Sequence, residues 1–169
     1  NGFIGSNVAN FLKKKKFNVF GIGSKGIYSY SSSRNNIYIK NIFGTINTSN
    51  LKKFKVNFDY IIHCAGSGFI GLNEIKDFKK NVGTTKKLLE FVSKFSNSTK
   101  NIVISSTSVY GNSSKKFTEQ TKINPISTYA FNKHRSELFC KNTFEKYKTN
   151  ITILRLTSIY GIGLRKQFI

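Results

Sequence analysis

Asn1-Gly2-Phe3-Ile4-Gly5-Ser6-Asn7 opens the chain, and how this stretch is read decides the fold. Two glycines three apart stand directly before Ile4 to Lys15, a segment with helical periodicity in which Ile4, Val8, Phe11 and Leu12 share one face. Glycines so spaced let the backbone approach a pyrophosphate, whose charge is favoured by the helix N-terminus. The same pattern also suits a tight turn before a helix. The remaining segments of the chain decide between the two.

Working outward, strand-like and helix-like segments alternate, which predicts a parallel sheet covered by helices. Phe17 to Ile22 reads as a short buried strand, Gly23 to Asn36 as a loop, and Ile37 to Ile39 as a strand. Asn50 to Phe54 suits a short helix, and Asp59 to Cys64 is a strongly apolar strand ending in Ala65-Gly66. A loop to Leu72 precedes a helical stretch to about Phe95. Asn101 to Ser105 is the next strand. Thr128 to Lys148 is a long helix, with Ser127 or Thr128 as its N-cap, and Ile151 to Leu156 is a further strand. The 169 residues suit one domain, and 38% hydrophobic residues with sixteen Phe and eight Tyr can fill a core.

The formal charge of +21 raises nucleic-acid binding as a possibility. The lysines are scattered rather than striped, at Lys13 to Lys16, Lys52, Lys53, Lys79, Lys80, Lys86, Lys87, Lys115 and Lys116. That distribution favours solvated faces over a nucleic-acid groove. No apolar run is long enough to span a bilayer, and no leader pattern marks secretion. Cys64 and Cys140 give no disulfide framework, so a reduced, cytoplasmic chain is expected. A metal site is not expected: His63 and Cys64 are adjacent on a strand and point to opposite faces, and His134 and Cys140 are poorly spaced for one helix face. His63 reads as a core histidine, His134 as solvent-facing, and Tyr110 as packing beneath the site. Arg155 could meet a substrate phosphate or anchor a strand by pairing with a carboxylate.

The strongest constellation is Tyr129 with Lys133, in Tyr-Ala-Phe-Asn-Lys. Their i, i+4 spacing places both on one helix face. An ammonium there is expected to lower the tyrosine pKa and make the phenol a usable proton-transfer group. Ser105-Ser106-Thr107-Ser108-Val109-Tyr110-Gly111 lies upstream at the C-terminal end of a strand, the edge where open α/β sheets place their sites. At the end of the strand Phe17 to Ile22, an acid that would grip the adenosine ribose is replaced by Gly23, with Ser24 and Lys25 next in the chain. With no carboxylate to repel a 2′-phosphate, the cofactor choice is NAD or NADP, leaning toward NADP or dual use.

NGFIGSN, DYIIHCAG, NVGTTKKLLEF, VISSTSVYG, YAFNK and ILRLTSIYG occur in the order found in extended short-chain dehydrogenase/reductases. The chain resembles the NAD-dependent epimerase/dehydratase proteins that act on nucleotide sugars, over almost its whole length. The resemblance implies an α/β, Rossmann-type doubly wound parallel sheet in three layers, truncated at both ends. Residues 1–169 would be one NAD(P)-binding domain, with its first strand and first loop glycine ahead of Asn1 and its substrate lobe beyond Ile169. It implies that Gly2, Phe3, Ile4 and Gly5 hold the pyrophosphate, that Ala65, Gly66 and Ser105 line the cofactor, and that Asn81 orders the nicotinamide side. Ser24 and Lys25 would face the adenosine ribose. Ser106 would be the catalytic hydroxyl, Tyr129 the acid/base, and Lys133 the residue that binds the nicotinamide ribose and tunes Tyr129. A nucleotide-sugar substrate and a homodimeric whole protein are implied as well.

The chain also departs from the family pattern. The sugar 4,6-dehydratases carry Asp-Glu directly after the Ser/Thr, where this chain has Thr107 and Ser108. Two hydroxyls cannot replace two carboxylates in water elimination, which disfavours a 4,6-dehydratase. Gly44-Thr45 stands for the family's adenine-contacting Gly-Asp, and Ser158 for an asparagine near the substrate. The expected activity is nucleotide-sugar epimerisation through a 4-keto sugar. The alternatives are a carbonyl reductase using the same residues and a non-catalytic NAD(P)- or RNA-binding relative.

Overall fold

The computed structural model describes residues 2–23, 37–66, 74–96, 98–114 and 116–161, so the expectations at Asn1, Ser24, Lys25, Arg165 and Lys166 lie outside the described residues. The chain divides into two compact units: residues 1–56 with 159–169, and residues 57–158.

The first unit begins with helix α1, Phe3–Lys14. Strand β1, Phe20–Gly23, pairs in parallel with β2, Lys40–Phe43, with Phe20 opposite Lys40. Helix α2, Thr48–Lys52, is capped by the Asn47 side chain, which accepts from the Asn50 N–H at 2.8 Å. The second expected strand thus sits three residues later than Ile37 to Ile39. Pairing with β1 selects the register, and Ile39 contributes its N–H to the Val19 carbonyl at 2.8 Å. α1 also differs from its apolar reading. It buries the small residues Ser6 and Ala9, while Phe11 is exposed, so close approach of backbone decides the buried face. Ile46, Leu51 and Phe54 are buried, and Phe54 meets Phe20 edge-on at 5.8 Å.

The second unit holds three parallel strands in the order β3-β4-β5: Tyr60–His63, Lys100–Ser106 and Ile151–Leu156. The connection from β3 to β4 carries helix α3, Glu74–Phe78, a π-helical turn, Lys79–Gly83, and helix α4, Thr84–Phe95. A 3-10 segment, Thr107–Tyr110, comes after β4, and helix α5, Thr128–Tyr147, leads to β5. Ser127 caps α5, accepting from the Ala130 N–H at 3.2 Å, and Lys148 ends it in the left-handed conformation. Alternating burial along β4 points Val103 inward, where it joins Leu89 of α4 and Cys140 of α5, with Phe139, Ile151 and Ile153 against them. The expected parallel α/β organisation is therefore present in each unit. The described lysines from Lys13 to Lys116 are exposed, as solvated faces require. Among the described residues no helix is long and apolar enough to cross a membrane, and no group of three metal-ligating side chains occurs.

Gly111 closes the 3-10 segment at φ +74°, and a Cβ there would lie 2.3 Å from the Asn124 carbonyl oxygen. Gly111→Ala is therefore expected to cost about 3 kcal/mol through backbone strain and overlap. Urea denaturation measures this, and an unchanged midpoint would contradict it.

Candidate active site

The C-terminal end of β4 and the first turns of α5 bring three of the expected residues together. β4 ends at Ser106, whose Oγ accepts from the Ser108 N–H at 3.2 Å and turns the chain into the 3-10 segment. Tyr129 lies in the first turn of α5, near enough to Ser106 for that side chain to act on its pKa. Lys133, one turn on, donates from Nζ to the Ile104 carbonyl at 2.9 Å and lies 5.8 Å from the centre of the Tyr129 ring. The ammonium thus addresses the ring face and the strand. The expected lowering of the Tyr129 pKa by Lys133 is not found. Burial raises it, and the Ser106 hydrogen bond is what pulls it back. Burial also lowers the Lys133 pKa, with Cys64 and Glu137 opposing.

Gly66 and Asn81 belong to the same cluster. A Cβ at Gly66 would fall 2.7 Å from Asn81 Oδ1 and 3.5 Å from Lys133 Nζ, so only a bare backbone fits beside them. Asn81 is placed by the π-helical turn, a feature often found at functional sites, and its Nδ2 donates to the Asp77 carbonyl at 2.9 Å. The Thr84 and Thr85 hydroxyls bond back to the carbonyls of Lys80 and Asn81 at 2.5 and 2.8 Å. Thr85 also meets His63 Nε2 at 2.9 Å. With the threonine proton directed at Asn81, the imidazole is the donor in that contact. His63 is thus a buried, hydrogen-bonded histidine one step behind Asn81, and burial followed by the Lys133 charge lowers its pKa to about 4.

Ser105 does not face this cluster as a free hydroxyl. It is buried and donates to Glu137 Oε1 at 2.5 Å. Glu137 also accepts from Arg155 Nε at 3.0 Å and Nη2 at 2.7 Å, and Arg155 Nη1 donates to the Tyr110 hydroxyl at 2.7 Å. Of the two readings of Arg155, carboxylate pairing is the one found. Tyr110 is buried and stacks on Phe117, with ring centres 4.9 Å apart. His134 departs from its reading: it is half-buried, and its Nδ1 is shielded from solvent without a hydrogen-bond partner among the described residues. Sequence reasoning missed Glu137 and Thr85. Glu137 lies four residues after Lys133, a spacing that could have drawn attention to it.

In the first unit, Gly2 is the N-cap of α1, and no side chain bonds there. Ser6 Oγ donates to the Gly2 carbonyl at 2.8 Å, and a Cβ on Gly2 would meet nothing within 4 Å. The opening N–H groups of α1, at Phe3, Ile4 and Gly5, therefore have no side-chain cap, which suits an anionic group. β1 ends at Gly23, as expected, with no carboxylate at that position.

His63 makes stability depend on pH. The unfolded imidazole takes a proton near its ordinary pKa of 6.5, whereas the folded one refuses it down to about 4. Its contribution is complete above pH 6.5 and is lost as pH falls toward 4. Between pH 7.5 and 5 the protein is expected to lose about 2 kcal/mol more than a His63→Gln variant. Denaturation midpoints at the two pH values check this, and equal losses would contradict it.

The model of the NAD dependent epimerase/dehydratase family matches residues 1–168. An uncharacterized UDP-glucose epimerase of Bacillus subtilis is 28% identical over 176 residues, covering 95% of this chain and 54% of that protein. Human dTDP-D-glucose 4,6-dehydratase is 30% identical over 112 residues, covering 61% of this chain and 30% of that protein. The crystal structure of UDP-glucuronic acid 4-epimerase from Bacillus cereus in complex with NAD superposes with a TM-score of 0.83 at 26% identity, covering 98% of this chain and 57% of that one. The chain thus spans about half the length of these epimerase relatives. By sequence and by its Rossmann-type fold, the chain belongs to the NAD-dependent epimerase/dehydratase family.

Proposed function

We propose that the protein is an NAD(P)-dependent nucleotide-sugar epimerase working through a transient 4-keto sugar, with Ser106, Tyr129 and Lys133 as its catalytic residues. The observation that carries this reading is the seating of Tyr129 and Lys133 against the C-terminal end of β4, with Lys133 over the Tyr129 ring and bonded to the Ile104 carbonyl two residues before Ser106.

The residues present fit a dinucleotide. The bare backbone of Gly66 beside Asn81 and Lys133 is a cradle that a Cβ would fill. Ala65 adjoins it, and Lys133 would bind the nicotinamide ribose. The uncapped start of α1, through Gly2, Phe3, Ile4 and Gly5, would take the pyrophosphate. Gly23 leaves no carboxylate against a 2′-phosphate, so NADP is accepted as well as NAD. When bound, the nicotinamide takes a hydride from the sugar carbon and returns it.

Tyr129 holds and moves the proton of the sugar hydroxyl. Burial favours the neutral phenol, so Tyr129 first releases its own proton to solvent, with the Ser106 side chain favouring the phenolate; that phenolate takes the proton of the sugar hydroxyl as the hydride leaves and gives it back when the 4-keto sugar is re-reduced. Ser106 then bonds the same sugar oxygen. Lys133 supplies positive charge beside both. Thr107 and Ser108 carry no carboxylate for eliminating water, which supports epimerisation over 4,6-dehydration.

Tyr129→Phe in the whole protein is expected to lower turnover on the order of 100- to 10,000-fold while leaving cofactor affinity unchanged. A panel of UDP-, GDP- and dTDP-sugars with each cofactor, read by stopped assay and by fluorescence titration of NADH and NADPH, checks both halves. Near-normal turnover in the variant would overturn the mechanism. Stoichiometric consumption of NADPH would point instead to a carbonyl reductase. A salt-sensitive RNA shift without any turnover would point to a non-catalytic role.

A further inference from the structure

Glu137 is a buried carboxylate that the proposed mechanism does not use. It sits one helical turn beyond Lys133 on the face of α5 that meets β4. Two adjacent strand residues receive that face: Ile104 accepts from Lys133 Nζ, and Ser105 donates to Glu137. Arg155 of β5 grips the other side of the carboxylate in a two-point contact, with the carboxylate side chain 6% exposed and the guanidinium 24%. The residue directly after Ser105 is Ser106. We propose that Glu137 is a positioning residue for the active site: clasped between Ser105 and Arg155, it fixes the end of β4 against α5 and serves as the counter-charge to Lys133.

Two groups oppose the burial of Lys133, Cys64 and Glu137, and of these Glu137 is the one held in an ion pair. From the β3 side, His63 is held neutral by burial down to about pH 4, and Cys64 remains a thiol because burial pushes its pKa up to about 11. On α5 itself, Tyr129 is a neutral phenol and Glu137 lies one turn past Lys133. From β5, Arg155 reaches this group of residues through Glu137, with the Tyr110 hydroxyl on its far side. Glu137 is ion-paired with Arg155, and its charge opposes the burial that drives Lys133 toward deprotonation. Arg155 neutralises part of that field, so the pair sets how firmly Lys133 stays charged.

The role assigned to Glu137 rests on the Ser106, Tyr129 and Lys133 reading, but it can be tested without turnover. Acetic anhydride labelling of the whole protein across pH, read by mass spectrometry of the Lys133 peptide, gives the midpoint at which that amine becomes reactive. Glu137→Gln keeps the size, removes the charge and exchanges one acceptor oxygen for a donor NH2, and is expected to lower the midpoint by about one pH unit. Arg155→Gln frees the carboxylate's full field and is expected to raise it. Ser105→Ala, which removes one bond and no charge, should leave it in place. A merely structural role predicts a different pattern: any loosening that admits water moves a buried lysine up toward its ordinary value in every variant. A midpoint that rises or stays fixed in Glu137→Gln overturns the proposal. If that variant does not fold, a midpoint in Arg155→Gln that does not rise above that of Ser105→Ala overturns it. Absence of epimerase activity in the unsubstituted protein, with midpoints moving as expected, would count against the catalytic reading and not against Glu137.

Discussion

The seating of α5 on the end of β4 is the constraint on which the site depends. Two contacts one helical turn apart make it: Lys133 to the Ile104 carbonyl, and Glu137 to Ser105 and Arg155. The second is a buried ion pair with added hydrogen bonds. Removing one partner from such a pair costs about 3–5 kcal/mol, because the other charge is left buried and uncompensated. The same contacts bring Ser106, on one element, to Tyr129 and Lys133, on another. Apolar packing of Leu89, Val103 and Cys140 supports the arrangement but does not orient it, since the hydrophobic effect is not directional. The polar contacts supply the register.

A second arrangement sits opposite, where β3 leads toward α3. The π-helical turn at Lys79–Gly83 places Asn81 against Gly66 and Lys133. Such a turn gives up regular helical bonding, and the hydroxyls of Thr84 and Thr85 bond to its carbonyls. His63 then donates to Thr85, so a buried imidazole on a strand stands behind an amide on a helix. Gly66 completes this side by what it lacks. Any side chain there would strike Asn81, which explains why the chain after β3 needs a glycine even though its φ is not exceptional.

Much of this was legible in the sequence, because it rests on local pattern. Tyr129 and Lys133 share a helix face by spacing alone, Ser106 falls at a strand end, and β5 lies where Ile151 to Leu156 predicts it. What could not be read depends on residues far apart in the chain. Glu137 and Arg155 are 18 residues apart, and His63 and Thr85 are 22 apart. The position of β2 comes from its pairing with β1, so a propensity reading places it early. The exposed Phe11 shows the limit of periodicity: α1 buries small side chains, which hydrophobic pattern overlooks. The tyrosine pKa departs from expectation for a geometric reason, since spacing puts an ammonium near the ring without saying which atom it addresses. The lysines behind the charge of +21 that are described lie on exposed faces, as their scattered spacing suggests.

Family membership leaves open which reaction the whole protein performs, since relatives named for epimerisation and for dehydration both match. The proposed reading separates the two by Thr107 and Ser108, which carry no carboxylate where elimination would need acids. The most direct measurement supplies the whole protein with a UDP-sugar bearing deuterium at C4 and tracks the product by NMR and mass spectrometry. The account predicts a C4-inverted sugar that keeps its deuterium at C4 and its oxygen at C6. A product that has lost the C6 oxygen would contradict it.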